Sequence, residues 1–199
     1  MTRLFVAINI SEELKQKVLE VQKKFSGFHG IKIVEKENFH LTLKFLGEVA
    51  EDGRSRSADL LPAIHNSVKE VSERIKTVTE KFSKFKISIE GLSFFTPPKN
   101  IRVIFLDLKD GKGKVVEIEK ALNEKLRDFR EEDYDPRPHL TIARVGYVKE
   151  KEKLLEIIRS LEQVSIGEME VNGISLMKSV LTRAGPVYAE VERFKLQDR

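Results

Sequence analysis

The chain is 199 residues long, has no cysteine, and carries 36 lysines and arginines against 32 aspartates and glutamates, a formal net charge of +4. That length can bury a substantial core, and the lack of cysteine excludes disulfide scaffolds, thiolate metal sites and thiol nucleophiles, so any chemistry must run on oxygen and nitrogen. The charge suits a polyanionic ligand but falls short of the basic stripe of an obligate nucleic-acid binder, and no apolar run is long enough to span a bilayer. The N-terminus enters a strand pattern without a signal-peptide layout, so a soluble, cytoplasmic protein is expected. The abundance of Lys and Glu resembles thermophile composition.

In chain order, Arg3 to Ile10 reads as a buried strand. Ser11 then caps a helix with Glu12 and Glu13 in its first turn and Leu14, Val18, Val21 and Phe25 along one face, ended by Gly27. Ile31 to Val34 is a short strand leading to a second strand that begins at His40. Glu48 to Asp59, rich in charge with Gly53 and two serines, reads as a flexible loop. Leu61, Ile64, Val68, Val71, Ile75, Val78 and Phe82 then mark a long amphipathic helix whose apolar face packs on its own sheet. Phe85, Ile87 and Ile89 alternate as a strand ended by Gly91, and Pro97-Pro98 interrupts before a strand from Ile101 to Leu108. A helix around Val115 to Phe129 and a charged loop, Arg130 to Arg137, deliver a strand beginning at His139. Leu154, Leu155, Ile158 and Leu161 mark the last helix, followed by strands near Ser165 to Val171, Ile174 to Val180 and Val187 to Phe194. The alternation of strands and helices repeats in both halves, and taken alone it is as compatible with parallel βαβ units as with antiparallel sheets.

Two phrases are near copies: His40-Leu41-Thr42-Leu43 and His139-Leu140-Thr141-Ile142. In a strand, successive side chains alternate between faces, so His40 and Thr42 share one face while Leu41 and Leu43 point to a core, and the same holds for His139 and Thr141. Facing each other, the two strands would place two imidazoles and two hydroxyls around one cleft. Imidazole is the side chain that can be acid or base near neutral pH, so one ring can take a proton from an attacking water while the other gives one to a departing oxygen. The hydroxyls can donate hydrogen bonds to phosphoryl oxygens as charge builds there. Neither a metal nor another cofactor is needed for such a reaction.

These residues resemble the signature of the two-histidine phosphoesterases, and more closely the LigT-like RNA 2′,3′-cyclic phosphodiesterases, also called 2′-5′ RNA ligases. The likeness extends to Arg3 to Ile8, Glu37 to Gly47, Arg137 to Arg144, and Ser179-Val180-Leu181 followed by Gly185-Pro186-Val187-Tyr188, and so covers essentially the whole chain. It implies an α+β, bilobal two-histidine phosphoesterase fold spanning residues 1–199 as one domain, with two antiparallel sheets flanked by helices around a central cleft and the lobes related by a pseudo-two-fold axis. It also implies hydrolysis of a ribose 2′,3′-cyclic phosphate at an RNA 3′ end to a 2′-phosphate, with 2′-5′ joining or cleavage as related chemistry. The catalytic set is then His40, Thr42, His139 and Thr141, with His139 read as the base for water and His40 as the acid for the 3′ oxygen. Arg144 matches a family arginine near the substrate phosphate. The partner is RNA with a cyclic phosphate end, tRNA fragments among the candidates, acted on by a monomer.

Arg144 shares strand parity with Leu140 and Ile142, so to reach the cleft the strand must end, twist or bulge before it, and Gly146 is the residue that would permit this. Lys44 shares the parity of His40 and Thr42 and is expected beside the phosphate. His29, in a Gly-flanked turn, and His65, on the polar side of the long helix, read as packed or surface residues. Phe45 and Tyr188 read as core rather than nucleobase platforms, while Phe94 and Phe95 read as a loop flanking the cleft, one of them a candidate platform. Two alternatives stay open: an RNA-end-binding module without turnover, and a metallohydrolase, although the motifs supply one imidazole per strand and no neighbouring ligand set at zinc spacing.

Overall fold

β-branched and aromatic residues recur through nine segments of the chain, and the strands they form pair antiparallel throughout. The computed structural model describes residues 2–49, 67–95, 101–130, 136–182 and 185–198. The expected flexible loop beyond residue 49, the first apolar positions of the long helix (Leu61 and Ile64), His65, Thr96 with Pro97-Pro98, and most of the charged loop before His139 lie outside the described residues.

The strands are β1 (Thr2–Asn9), β2 (Ile31–Ile33), β3 (His40–Val49), β4 (Phe85–Phe95), β5 (Val103–Leu108), β6 (His139–Val145), β7 (Ser165–Val171), β8 (Gly173–Leu181) and β9 (Pro186–Lys195). The helices are α1 (Glu12–Gln22), α2 (Val68–Thr79), α3 (Lys112–Lys125) and α4 (Lys151–Ser160). Ser11 caps α1 as expected, its hydroxyl accepting from the Leu14 amide. Ser67 caps α2 the same way, its hydroxyl accepting from the Glu70 amide.

The strand order β7-β4-β5-β6-β3-β1-β8-β9 falls into two groups of four, β6-β5-β4-β7 and β3-β1-β8-β9. In each group the motif strand is innermost and its neighbour precedes it in sequence with a helix between, β1-α1-β3 and β5-α3-β6. This is the expected pseudo-two-fold arrangement. The two expected sheets are the halves of one continuous sheet, joined where β3 and β6 meet at the register pair Leu41↔Leu140, with β2 added to β6 beyond that point.

All four helices cover one face. Leu14 and Val18 of α1, Val71 and Ile75 of α2, Val115 and Ile118 of α3, and Leu154 and Ile158 of α4 share one buried cluster with Leu41, Leu43, Leu140 and Ile142 of the motif strands. α2 packs on β8 and β9 and also against α3, so its apolar stripe serves a sheet and a helix together. The other face carries a small cluster of Phe5, Ala7 and Met177, with Tyr188 packed on it. Among the described residues no helix is long and apolar enough to cross a membrane.

Gly91 does not end β4. With φ of 89° it forms a bulge, after which the strand continues to Phe95, so Phe94 and Phe95 belong to a strand and not to a loop. A second bulge decides the geometry of the site. Against β5, Phe105 pairs with Thr141 but Ile104 pairs with Ala143, leaving Ile142 as the extra residue. The Ile142 carbonyl accepts from the Val34 amide (3.0 Å) and from Gln22 Nε2 (2.7 Å), and the same amide group of Gln22 donates to the Val34 carbonyl (2.9 Å). Replacing Gln22, which is buried, by leucine is therefore expected to cost about 1–3 kcal/mol through the carbonyls left short of a donor. In a chain of this size that is a fall in melting temperature of roughly 2–4 °C per kcal/mol, readable by calorimetry.

Candidate active site

Antiparallel pairing about Leu41 and Leu140 sets His40 on the Thr141 side and Thr42 on the His139 side, so the two motifs form one four-cornered array with a local two-fold axis at its centre. Each imidazole is held in the same way. His40 Nδ1 lies 2.7 Å from the Asn38 carbonyl and His139 Nδ1 lies 2.6 Å from the Arg137 carbonyl, two residues back in each case. A carbonyl can only accept, so Nδ1 carries the hydrogen and Nε2 is left for chemistry. In His40 that nitrogen meets the Thr42 hydroxyl at 3.0 Å.

Aromatic rings wall each histidine. Phe5 packs against the His40 ring at 4.9 Å between centroids and Tyr188 meets it edge-on at 5.2 Å. Phe95 meets His139 edge-on at 4.7 Å and Phe105 at 5.3 Å, with Phe95 and Phe105 stacked at 4.2 Å. Burial among these rings lowers both histidines from their ordinary value, His40 to about 4. The Asn38 carbonyl opposes the effect at His40, where charges on His139 and Arg144 add to it. At His139 the Arg137 carbonyl and the carboxylate of Asp107, its register partner on β5, oppose it. The matching partner of His40 on β1 is Asn9, whose side-chain amide donates to Ser175 Oγ (3.1 Å) and Glu190 Oε2 (3.0 Å). Asn9 and Asp107 escaped the sequence reading, although each directly follows an apolar run, Leu4 to Ile8 in β1 and Val103 to Leu106 in β5.

The bulge at Ile142 turns both Ile142 and Ala143 to the core and brings the exposed Arg144 to the cleft, as strand parity required. The break falls at Ile142 and not at Gly146. Its effect reaches the array: the Arg144 charge disfavours a proton on His40 and on His139, and at Tyr188 it partly offsets the burial that raises the hydroxyl above its ordinary value.

The same bulge recurs in β3, where Val6 pairs with Lys44 and Ala7 with Thr42, leaving Leu43 as the extra residue. It moves Lys44 off the face of His40 and Thr42, so the expectation of a lysine beside the phosphate is corrected. Lys44 is 2% exposed and its ammonium donates to the Arg130 carbonyl (2.7 Å). Phe45 takes the place that Arg144 holds in the other half. It is 46% exposed on the cleft side, 6.2 Å from the Phe5 ring and 5.9 Å below the Arg130 guanidinium, so the core reading of Phe45 is also corrected. Tyr188 is half-buried against Phe5 and His40, and His29 is exposed in its turn.

Two imidazoles and two hydroxyls converge beside a guanidinium, with aromatic walls, and this arrangement can move protons on opposite sides of a bound phosphate. Among the described residues no three histidine, aspartate or glutamate side chains gather as a metal site. A model of the 2′-5′ RNA ligase superfamily matches residues 10–183. The chain belongs to this superfamily. Members with the same extent include an Archaeoglobus fulgidus protein named RNA 2′,3′-cyclic phosphodiesterase, 36% identical over 195 residues that cover 97% of this chain and 99% of that protein. A Methanocaldococcus jannaschii protein of the same name is 36% identical, covering 96% and 99%. Among solved structures of this fold, a Thermus thermophilus protein superposes with a TM-score of 0.77 at 25% identity, covering 98% of both chains. Escherichia coli LigT in apo form superposes with 0.72 over 99% of this chain and 98% of that one, and at 19% identity it speaks for the fold alone.

Proposed function

We propose that this superfamily member hydrolyses RNA 2′,3′-cyclic phosphate ends to 2′-phosphates, with His40 and His139 as the acid and base. The convergence of the two His-x-Thr strands at a single register pair carries the reading, and the names of the relatives supply the substrate class. The cyclic phosphate lies between the two Nε2 atoms. His139 takes a proton from water as its oxygen bonds to phosphorus, the bond from phosphorus to the 3′ oxygen breaks, and His40 gives its proton to that oxygen. Thr42 and Thr141 donate to the non-bridging oxygens and Arg144 balances their charge. No step uses a metal. A 5′-hydroxyl in the place of water would leave a 2′-5′ linkage, so ligation is the same chemistry with another nucleophile.

Incubation with a cyclic-ended oligonucleotide in excess chelator tests this. Multiple turnover is expected, and tight binding without turnover, or activity that appears only with added metal, would overturn the reading.

The electrostatics set the pH response. His40 must be charged and His139 neutral, yet burial and Arg144 push both below 6.5 in the free cleft. The proton on His40 is therefore lost early as pH rises, and kcat/KM, which reports the free enzyme, is expected to peak below pH 6.5 and fall through neutrality. A bound phosphate anion favours the charged rings, so the kcat optimum should lie at higher pH than that of kcat/KM. A kcat/KM that rises from pH 6 to 8 would contradict this.

A further inference from the structure

The histidine array is flanked differently on its two sides. One is aromatic, with Phe45 exposed beneath Arg130. The other is cationic and is formed by a residue outside both motifs. Lys32 on β2 pairs directly with Arg144 on β6, so the two side chains lie on the same face, and both are exposed. Their neighbours in the ladder, Ile31↔Val145 and Ile33↔Ala143, point to the core, which fixes that assignment. From Thr141 to Arg144 is two steps of the β5 ladder, about 6.6 Å, and Lys32 is one strand spacing, about 4.8 Å, further out.

The far end of Lys32 is also located. A side chain at Gly185 would start 3.1 Å from Lys32 Nζ, so the ammonium lies close to Gly185, next to the first residue of β9. That hairpin belongs to the cleft, because the Asn38 side chain donates to the Pro186 carbonyl (3.0 Å) and Tyr188 packs on His40. Lys32 thus spans the rim from β2 to the wall over His40.

We infer that Lys32, beside Arg144, receives the internal phosphodiester 5′ to the terminal nucleoside. The inference rests on the proposed reaction and adds to it a preference for oligonucleotide ends over free nucleoside cyclic phosphates. A strand seated with its cyclic phosphate in the histidine array leaves over the Phe45 ring and the Arg130 guanidinium that stacks on it at one end, and over Lys32 and Arg144, with no aromatic ring between them among the described residues, at the other. A nucleobase suits the first and the polyanionic backbone suits the second.

The test compares two dinucleotides ending in a 2′,3′-cyclic phosphate, one with a normal internal phosphodiester and one with an uncharged methylphosphonate. The wild-type chain is expected to favour the charged linkage about tenfold in kcat/KM, the scale of one charge-assisted contact. Lys32→Gln should reduce that preference to about twofold or less, and should flatten the salt dependence of kcat/KM by about 0.7 in log-log slope. Lys32 is exposed, so its replacement leaves the fold in place. A wild-type chain that treats the two linkages alike, or a Lys32→Gln chain that keeps the full preference, overturns the site while leaving the proposed reaction standing. A wild-type chain that opens neither substrate overturns both.

Discussion

Alanine at His139 or at His40 is expected to cut the opening of a cyclic phosphate end by about 10²–10⁴-fold, the usual worth of a positioned proton donor or acceptor. The two losses should not add, because base and acid serve one displacement and removing either leaves the other with nothing to complete. The doubly substituted chain should therefore be little slower than the worse single variant. Both rings pack against aromatic walls, so the variants are best read beside glutamine replacements, which keep more of the side-chain volume, and beside melting curves that show the fold is retained. His29→Ala, remote from the motifs in an exposed turn, is the control and should leave turnover as it is. Full activity in His139→Ala would remove the base from the mechanism.

Arg144→Gln should lower turnover by about 10²-fold, as expected on deleting one group that stabilises charge developing at the reacting centre. This variant has a second readout. The Arg144 guanidinium opposes a proton on both histidines, so without it both rings hold protons to higher pH. The base then becomes neutral at a higher pH and the acid stays charged to a higher pH, so the kcat/KM optimum should move upward. A loss of rate with the optimum unmoved would place Arg144 away from the pair.

The histidines and threonines were legible because strand parity needs only local alternation, and the alternation holds through the first four residues of each motif. It fails at the fifth. The bulges at Leu43 and Ile142 insert one residue into a ladder whose partner strand lies far away in sequence, and nothing in the local pattern marks them. Parity therefore puts Lys44 on the face of His40 and Thr42, and Phe45 reads as core, the reverse of the structure in both cases. At Arg144 the conflict between parity and the family resemblance was itself the signal, and a bulge was the physical resolution. Gly91 misled in the other direction, since a glycine in a strand pattern can end the strand or bend it, and only the pairing with β5 and β7 distinguishes the two.

The walls around the histidines were not legible in the same way. Phe5 and Phe105 read as members of buried strands, and which face of a strand is buried against helices depends on the order of strands in the sheet. Lys32 was hidden for the same reason. It gains a role only because a three-residue strand pairs with β6 at Arg144, a contact between residues more than a hundred positions apart.

The assignment of the acid can be tested at the level of the bond. A cyclic substrate with sulfur in place of the bridging 3′ oxygen releases a thiolate, which needs no proton to depart. With this substrate His40→Ala should regain most of the wild-type rate while His139→Ala stays slow, with the released thiol and a 2′-phosphate as products. Equal rescue of both variants, or rescue of His139→Ala alone, would contradict the central claim that His40 protonates the leaving oxygen while His139 activates water.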